Sequence, residues 1–132
     1  MKLTRASSYA LHAVAFMASQ KHDKPVASHN IAQARGIPER FLLKVLKPLV
    51  SARVLLSIKG PNGGYRLARP ASEINMLEIL EAVDGPIRGL APPTQDGSPL
   101  NGKLEVICKQ AAEATRKHLE KVKMSELAVG KK

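Results

Sequence analysis

The residues best equipped for chemistry in this chain are cations set around glycines. In Lys59-Gly60-Pro61-Asn62-Gly63-Gly64-Tyr65-Arg66, a Lys and an Arg flank a tip with little side-chain bulk. Glycine lets backbone approach another surface closely, and two cations beside such backbone suit a phosphate chain. A second group, Arg40, Lys44 and Lys47, recurs at steps of four and three, so a helix would carry it on one face. An Arg can pair with guanine, and the neighbouring Glu39 can accept from the amino group of cytosine. The sequence has no nucleophile elbow, phosphate-binding loop or metal motif. His12, His22, His29 and His118 lack metal-ligand spacing, and a single cysteine, Cys108, excludes an internal disulfide framework. The expectation is a protein that is not an enzyme and carries no metal or other cofactor.

The charge is placed to match. The chain of 132 residues has a net charge of +10, and residues 1–70 hold twelve Lys and Arg against only Asp23 and Glu39, while residues 71–132 hold nine of each sign. The whole excess lies in the part that carries both cationic groups. Such a field attracts a polyanion, and nucleic acid is the expected one, narrowed to double-stranded DNA by the elements below. A membrane surface fits less well, because Trp is absent and no basic face is edged with bulky aromatics. No apolar run reaches about 18 residues, and Ser7, Ser8 and His12 interrupt the segment after Met1-Lys2-Leu3-Thr4-Arg5 where a signal core would stand. A cytoplasmic location is expected.

Helices must position these groups. Thr4 caps a first helix to about Gln20, with Ala6, Tyr9, Ala10, Ala13, Val14, Phe16 and Met17 at three- and four-residue steps. Ser28 is expected to cap a short second helix to Arg35, which Gly36 ends. Ile37 fills the turn, and Pro38 stands where a third helix can begin. That helix should point Phe41, Leu42, Val45, Leu46, Leu49 and Val50 inward and Glu39, Arg40, Leu43, Lys44 and Lys47 outward. Short helix, glycine turn and helix make a helix-turn-helix, whose second helix enters the DNA major groove. Pro48 should kink the third helix or begin its last turn, and Arg53 is expected to take a left-handed position usually given to Gly.

The cationic tip then joins two strands, Val54–Ile58 and Tyr65–Ala68, through a tight turn in which Asn62-Gly63 supplies positive φ angles. A helix-turn-helix followed by a glycine-tipped basic hairpin is a winged helix. Glu39, Arg40 and Lys44 are the expected base readers, and Lys59 enters the minor groove. Asn62, Gly63 and Gly64 let backbone approach the duplex, and Arg5, Arg35, Lys47 and Arg66 hold phosphates. Ser28, at the start of the second helix, completes the DNA-binding set.

Beyond the wing, Ile74, Leu77, Ile79, Leu80 and Val83 mark a fourth helix ending at Asp84-Gly85-Pro86. Residues 86–102 hold Pro86, Pro92, Pro93 and Pro99 and are expected to form a flexible loop. From Lys103, a long helix carries Leu104, Ile107, Ala111, Ala114, His118 and Val122 as one stripe. That stripe packs either on its own domain or on a second copy of the chain. The expected organisation is a DNA-binding domain over 1–85, the loop over 86–102, and a dimerisation helix and tail over 103–132. The fold class is mainly α with a small β-hairpin wing.

The runs Ile31-Ala32, Gly36-Ile37, Phe41-Leu42, Val45-Leu46 and Leu49, and above all Gly60-Pro61-Asn62-Gly63-Gly64-Tyr65-Arg66-Leu67, resemble the Rrf-two family of bacterial transcriptional regulators, to which IscR, NsrR and CymR belong. Met1-Lys2-Leu3-Thr4, Glu78–Pro86 and Met124-Ser125-Glu126-Leu127 match as well. The resemblance implies a sequence-specific regulator, in the repressor sense, binding a pseudo-palindromic operator as a homodimer whose long helices cross. Many members hold an iron–sulfur cluster on three cysteines before that helix. Here residues 86–102 hold none, Gly102 falls near the last ligand position, and Ser8 replaces an acidic residue used by some relatives. A cluster-free member is implied, controlled by a partner protein or a small molecule near the loop. Two other readings stay open: a nonspecific architectural DNA-binding protein, and a partner subunit of a regulatory complex.

Overall fold

The computed structural model describes residues 1–128; the tail 129–132, expected to follow the dimerisation helix, lies outside the described residues. Helix α1 (Arg5–Ala18) begins where expected, with Thr4 Oγ1 accepting from the Ser7 amide at 3.0 Å. Its small buried residues Ala10 and Ala13, with Val14 and Met17, let the helices over 28–35, 39–51, 76–84 and 124–127 and the wing pack around it. The capped end of α1 is fastened to the helix that ends at Asp84, because Asp84 accepts from Thr4 Oγ1 at 2.8 Å and from Ser7 Oγ at 2.5 Å.

Helices α2 (Ser28–Arg35) and α3 (Glu39–Ser51) form the helix-turn-helix. Gly36 closes α2 in the left-handed conformation, φ 65°, and the Ile37 amide reaches back to the Ala32 carbonyl at 2.9 Å. This Schellman-like closure needs a residue without a Cβ penalty. Ile37 is buried under the turn, and Leu42, Val45, Leu46 and Leu49 fix α3 to the core. Helix α3 runs through Pro48 to Ser51. Arg53 takes the left-handed conformation anticipated for it, φ 63°.

Strands β1 (Leu55–Ile58) and β2 (Gly64–Leu67) pair antiparallel, Leu55 opposite Leu67 and Ile58 opposite Gly64. The turn differs from expectation. It spans residues 59–63, and the positive φ angles fall on Gly60 and Gly64, not on Asn62 and Gly63. The Gly63 amide donates to the Gly60 carbonyl at 3.0 Å, so the turn closes around Asn62 and Pro61, whose ring holds φ negative. Val26 and Tyr65 exchange hydrogen bonds of 2.8 and 2.9 Å, so β2 is paired on both sides at its start.

Helix α4 (Met76–Asp84) starts with a capping box, Asn75 Oδ1 accepting from the Glu78 amide and Glu78 from the Asn75 amide, each at 2.9 Å. Helix α5 (Pro99–Glu120) begins at Pro99, inside the stretch expected to be loop. Ser98 caps it, and Pro99 sits at a first-turn position where its missing N–H costs nothing. Asp96 folds the approach, accepting from Thr94 Oγ1 at 2.5 Å and from the Ser98 amide at 3.1 Å. Gly89 lies so close to α5 that a Cβ there would stand 2.2 Å from the Cys108 carbonyl oxygen.

Leu119 is buried with Leu77 and Leu80, and Arg116 pairs with Glu81, so the C-terminal half of α5 is seated on α4. Val122, placed by the sequence in the stripe of this helix, lies two residues beyond its end, and its carbonyl accepts from the Met76 amide at 2.8 Å, beside a bridge between Asn75 and Lys123. Helix α6 (Met124–Leu127) follows and buries Met124 in the core. Leu104, Ile107, Ala111, Ala114 and His118 are exposed.

Candidate nucleic-acid interface

The outward side of α3 carries the charged surface. Glu39, Arg40, Leu43, Lys44 and Lys47 are all exposed, opposite the buried Leu42, Val45, Leu46 and Leu49. Phe41 was expected inside with that group, but it is 39% exposed. It stands at the edge of the apolar arc, and cations use it: Arg40 lies over its ring at 5.0 Å and Lys44 at 5.7 Å. Such contacts orient a long flexible cation at modest energy. Arg5 of α1 borders the same hollow with Tyr9, Phe41 and Lys44. Two of the anticipated DNA-binding cations therefore lie over one ring, and a third, Arg5, borders the hollow beside it. The signal in sequence was the spacing of Phe41 from Arg40 and Lys44, which the amphipathic reading subsumed.

Ser28 does not cap α2. Ala27 is the N-cap residue, without a side-chain cap, and Ser28 Oγ donates instead to Glu39 Oε2 at 2.8 Å. The carboxylate at the start of α3 is thus held from the start of α2, across the turn. Arg35 stands apart from the Phe41 group. Its guanidinium lies over Phe16 of α1 at 5.2 Å, beside a hollow bordered by Leu11, Ala15 and Met124. Lys47 sits further along α3 and borders a hollow with Pro48, Ser51 and Ala82.

On the wing, Lys59, Asn62 and Arg66 are exposed, and Arg66 pairs with Leu56 in the ladder. The two tip glycines have internal reasons as well. A Cβ on Gly63 would stand 2.1 Å from the Ile58 carbonyl oxygen, and one on Gly64 would stand 2.4 Å from that of Val26. Below the wing, Arg69 was not singled out by its sequence context. It donates to the Glu73 carbonyl at 2.7 Å, to the Arg53 carbonyl at 3.2 Å and to Glu78 at 2.6 Å. One guanidinium thereby ties the end of the wing, the exit from α3 and the start of α4.

Comparison with known proteins agrees with this architecture. The family model Rrf2, described as an iron-dependent transcriptional regulator, matches residues 3–130. An HTH-type transcriptional regulator of Mycobacterium tuberculosis is 29% identical over 133 residues, covering 98% of this chain and 83% of that protein. The regulator IscR of Vibrio atlanticus is 36% identical over 84 residues, 64% of this chain and 49% of its own. The structure of CymR, the global cysteine regulator of B. subtilis, superposes with a TM-score of 0.79 at 26% identity, covering 97% of this chain and 96% of that one.

The iron named in the family description can be tested against the donors present. Iron–sulfur ligation takes several thiolates close together. The sequence has Cys108 alone, half-buried on α5. Among the described residues no three His, Cys, Asp or Glu side chains converge as a metal site. These donors do not fit an iron–sulfur cluster.

Proposed function

The chain belongs to the Rrf2 family of DNA-binding transcriptional regulators, and from that premise we propose that it acts as a homodimeric repressor on a pseudo-palindromic operator. Helix α3 enters the major groove, with Arg40, Lys44 and Glu39 at base edges. The wing lies in the adjacent minor groove, with Lys59 at its tip and the backbone of Asn62, Gly63 and Gly64 near the sugar-phosphate edge. Arg5, Lys47, Arg66 and Arg35 hold phosphates, while Ser28 holds the Glu39 carboxylate in place. The observation that carries this reading is the stacking of Arg40 and Lys44 on the exposed Phe41, with Arg5 bordering the hollow beside it.

The second copy packs on the exposed stripe of α5, Leu104, Ile107, Ala111, Ala114 and His118. Two α3 helices then address two half-sites about one helical turn apart, ~34 Å. The protein is not an enzyme and works in the cytoplasm. No described helix is long and apolar enough to cross a membrane. Its effector is a partner protein or a small molecule rather than a cluster, in keeping with the lone Cys108.

Fluorescence anisotropy tests this, using duplexes enriched from the source genome by the purified protein against a scrambled duplex at two salt concentrations. A preference of about a thousandfold or more, with a steep salt slope, is the expected result. Equal and salt-sensitive affinity for both duplexes would instead make the protein an architectural binder. Absence of binding to either would make it a partner subunit.

A further inference from the structure

We propose that Leu43 is a specificity-determining residue that reads a thymine methyl group in the major groove; this rests on α3 being the groove helix. Leu43 takes no part in the packing of the core. It is 42% exposed and does not belong to the residues packed on either hydrophobic cluster. Helix α3 has one other large exposed apolar side chain, Phe41, and that ring is covered by Arg40 and Lys44. Leu43 packs on neither cluster and has no ring for a cation to stack on.

Its neighbours on the helix surface are the residues three and four away: Glu39, Arg40 and Lys47, all exposed, and Leu46, buried. A leucine surrounded by charged side chains on the outward face gains nothing in water. The net positive charge of residues 1–70 says what covers it. Charge complementarity brings that face against a polyanion, and within a DNA major groove the apolar feature available is the C5-methyl of thymine.

Glu39 stands one helical turn from Leu43, ~6 Å along the axis at ~1.5 Å per residue, or close to two base steps. Glu39 is held by Ser28, so the turn offers a fixed carboxylate acceptor and an apolar contact side by side. Together they describe a local sequence requirement: an amino-bearing base edge near a thymine.

Methyl deletion tests this directly. Each thymine of an enriched duplex is replaced singly by deoxyuracil, which removes only the methyl, and affinity is measured for the native protein, Leu43→Ala and Leu43→Met. The native protein should lose about fourfold for the methyl it buries, at one position or a symmetric pair. Leu43→Ala should bind the thymine and uracil duplexes alike, and Leu43→Met should keep the discrimination. Thermal melting of the variants should match the native protein, since the residue is exposed. If no uracil substitution weakens the native protein, or if Leu43→Ala keeps the same sensitivity, the assignment fails while the regulator reading stands. If the native protein shows no preference between enriched and scrambled duplexes, both fail.

Discussion

Arg69 and Glu78 form a 2.6 Å ion pair beneath the wing, and each is also hydrogen-bonded to backbone, Arg69 to the carbonyls of Arg53 and Glu73 and Glu78 to the Asn75 amide. Burial disfavours the Glu78 carboxylate, but the Arg69 hydrogen bond, the Asn75 amide and the charges of Arg69 and Lys123 outweigh it and hold its pKa below the usual range. A carboxyl whose folded pKa is depressed contributes stability that is present above its unfolded pKa, about 4.3, and lost as pH falls through the folded value. Native protein should therefore lose stability on acidification below about pH 4.3 more steeply than Glu78→Gln, measured by urea unfolding across pH. Arg69→Ala should cost roughly 1–3 kcal/mol at neutral pH, because it strands the Arg53 carbonyl and Glu78. Parallel pH profiles for native protein and Glu78→Gln would contradict the pairing.

Gly64 cannot carry a side chain without moving Val26. Its φ is 148°, and an added Cβ would stand 2.4 Å from the Val26 carbonyl oxygen. Gly64→Ala should cost at least about 2 kcal/mol and should act on the wing before the helices. Hydrogen exchange checks this: the Val26 and Tyr65 amides should lose protection while the amides of α1 and α3 keep theirs. Unchanged protection at Val26 and Tyr65 would show that the bridge does not depend on the glycine.

Arg40 and Lys47 should separate sequence reading from phosphate holding. Arg40 is oriented over Phe41, near the start of α3, where groove helices meet base edges. Arg40→Ala should cost roughly 1–3 kcal/mol on the preferred duplex and much less on scrambled DNA. Lys47→Ala should weaken both alike and flatten the salt slope by about 0.9 for each phosphate no longer neutralised. Equal losses on both duplexes for Arg40→Ala would remove it from the base-reading set.

Much of this was legible because it is local. The apolar period of α3, the left-handed Gly36 and Arg53, the Thr4 cap and the glycine-tipped hairpin all follow from residues a few positions apart. What the sequence hid depends on distant partners. Ser28 looks like a cap until Glu39, eleven residues on, takes its hydroxyl. Asn62-Gly63 looks like the centre of a tight turn, but the positive φ angles fall on Gly60 and on Gly64, which lies against the backbone of Val26. Pro99 looked like loop among other prolines, although Ser-Pro is also a helix start, and Asp96 and Ser98 make it one. Val122 has the period of the α5 stripe, but the helix stops at Glu120 and the Val122 carbonyl pairs with the Met76 amide. Arg69 carries no local pattern at all, since its role comes from three segments meeting.

The two ends of α5 should respond differently to substitution. Ile107 is 58% exposed, whereas Leu119 is buried with Leu77 and Leu80. Ile107→Glu removes no internal packing and places a charge in the middle of the proposed dimer face. It should yield a helical monomer in sedimentation, with melting no longer dependent on protein concentration. Leu119→Ala opens a cavity between α4 and α5 and should cost roughly 2–5 kcal/mol whether or not a second copy is present. A dimeric Ile107→Glu protein would move the interface off the stripe of Leu104, Ile107 and Ala111. A monomer that still prefers the enriched duplex over scrambled DNA, but with affinity for a single half-site, would show that α3 reads sequence by itself and that the long helix supplies the second reader.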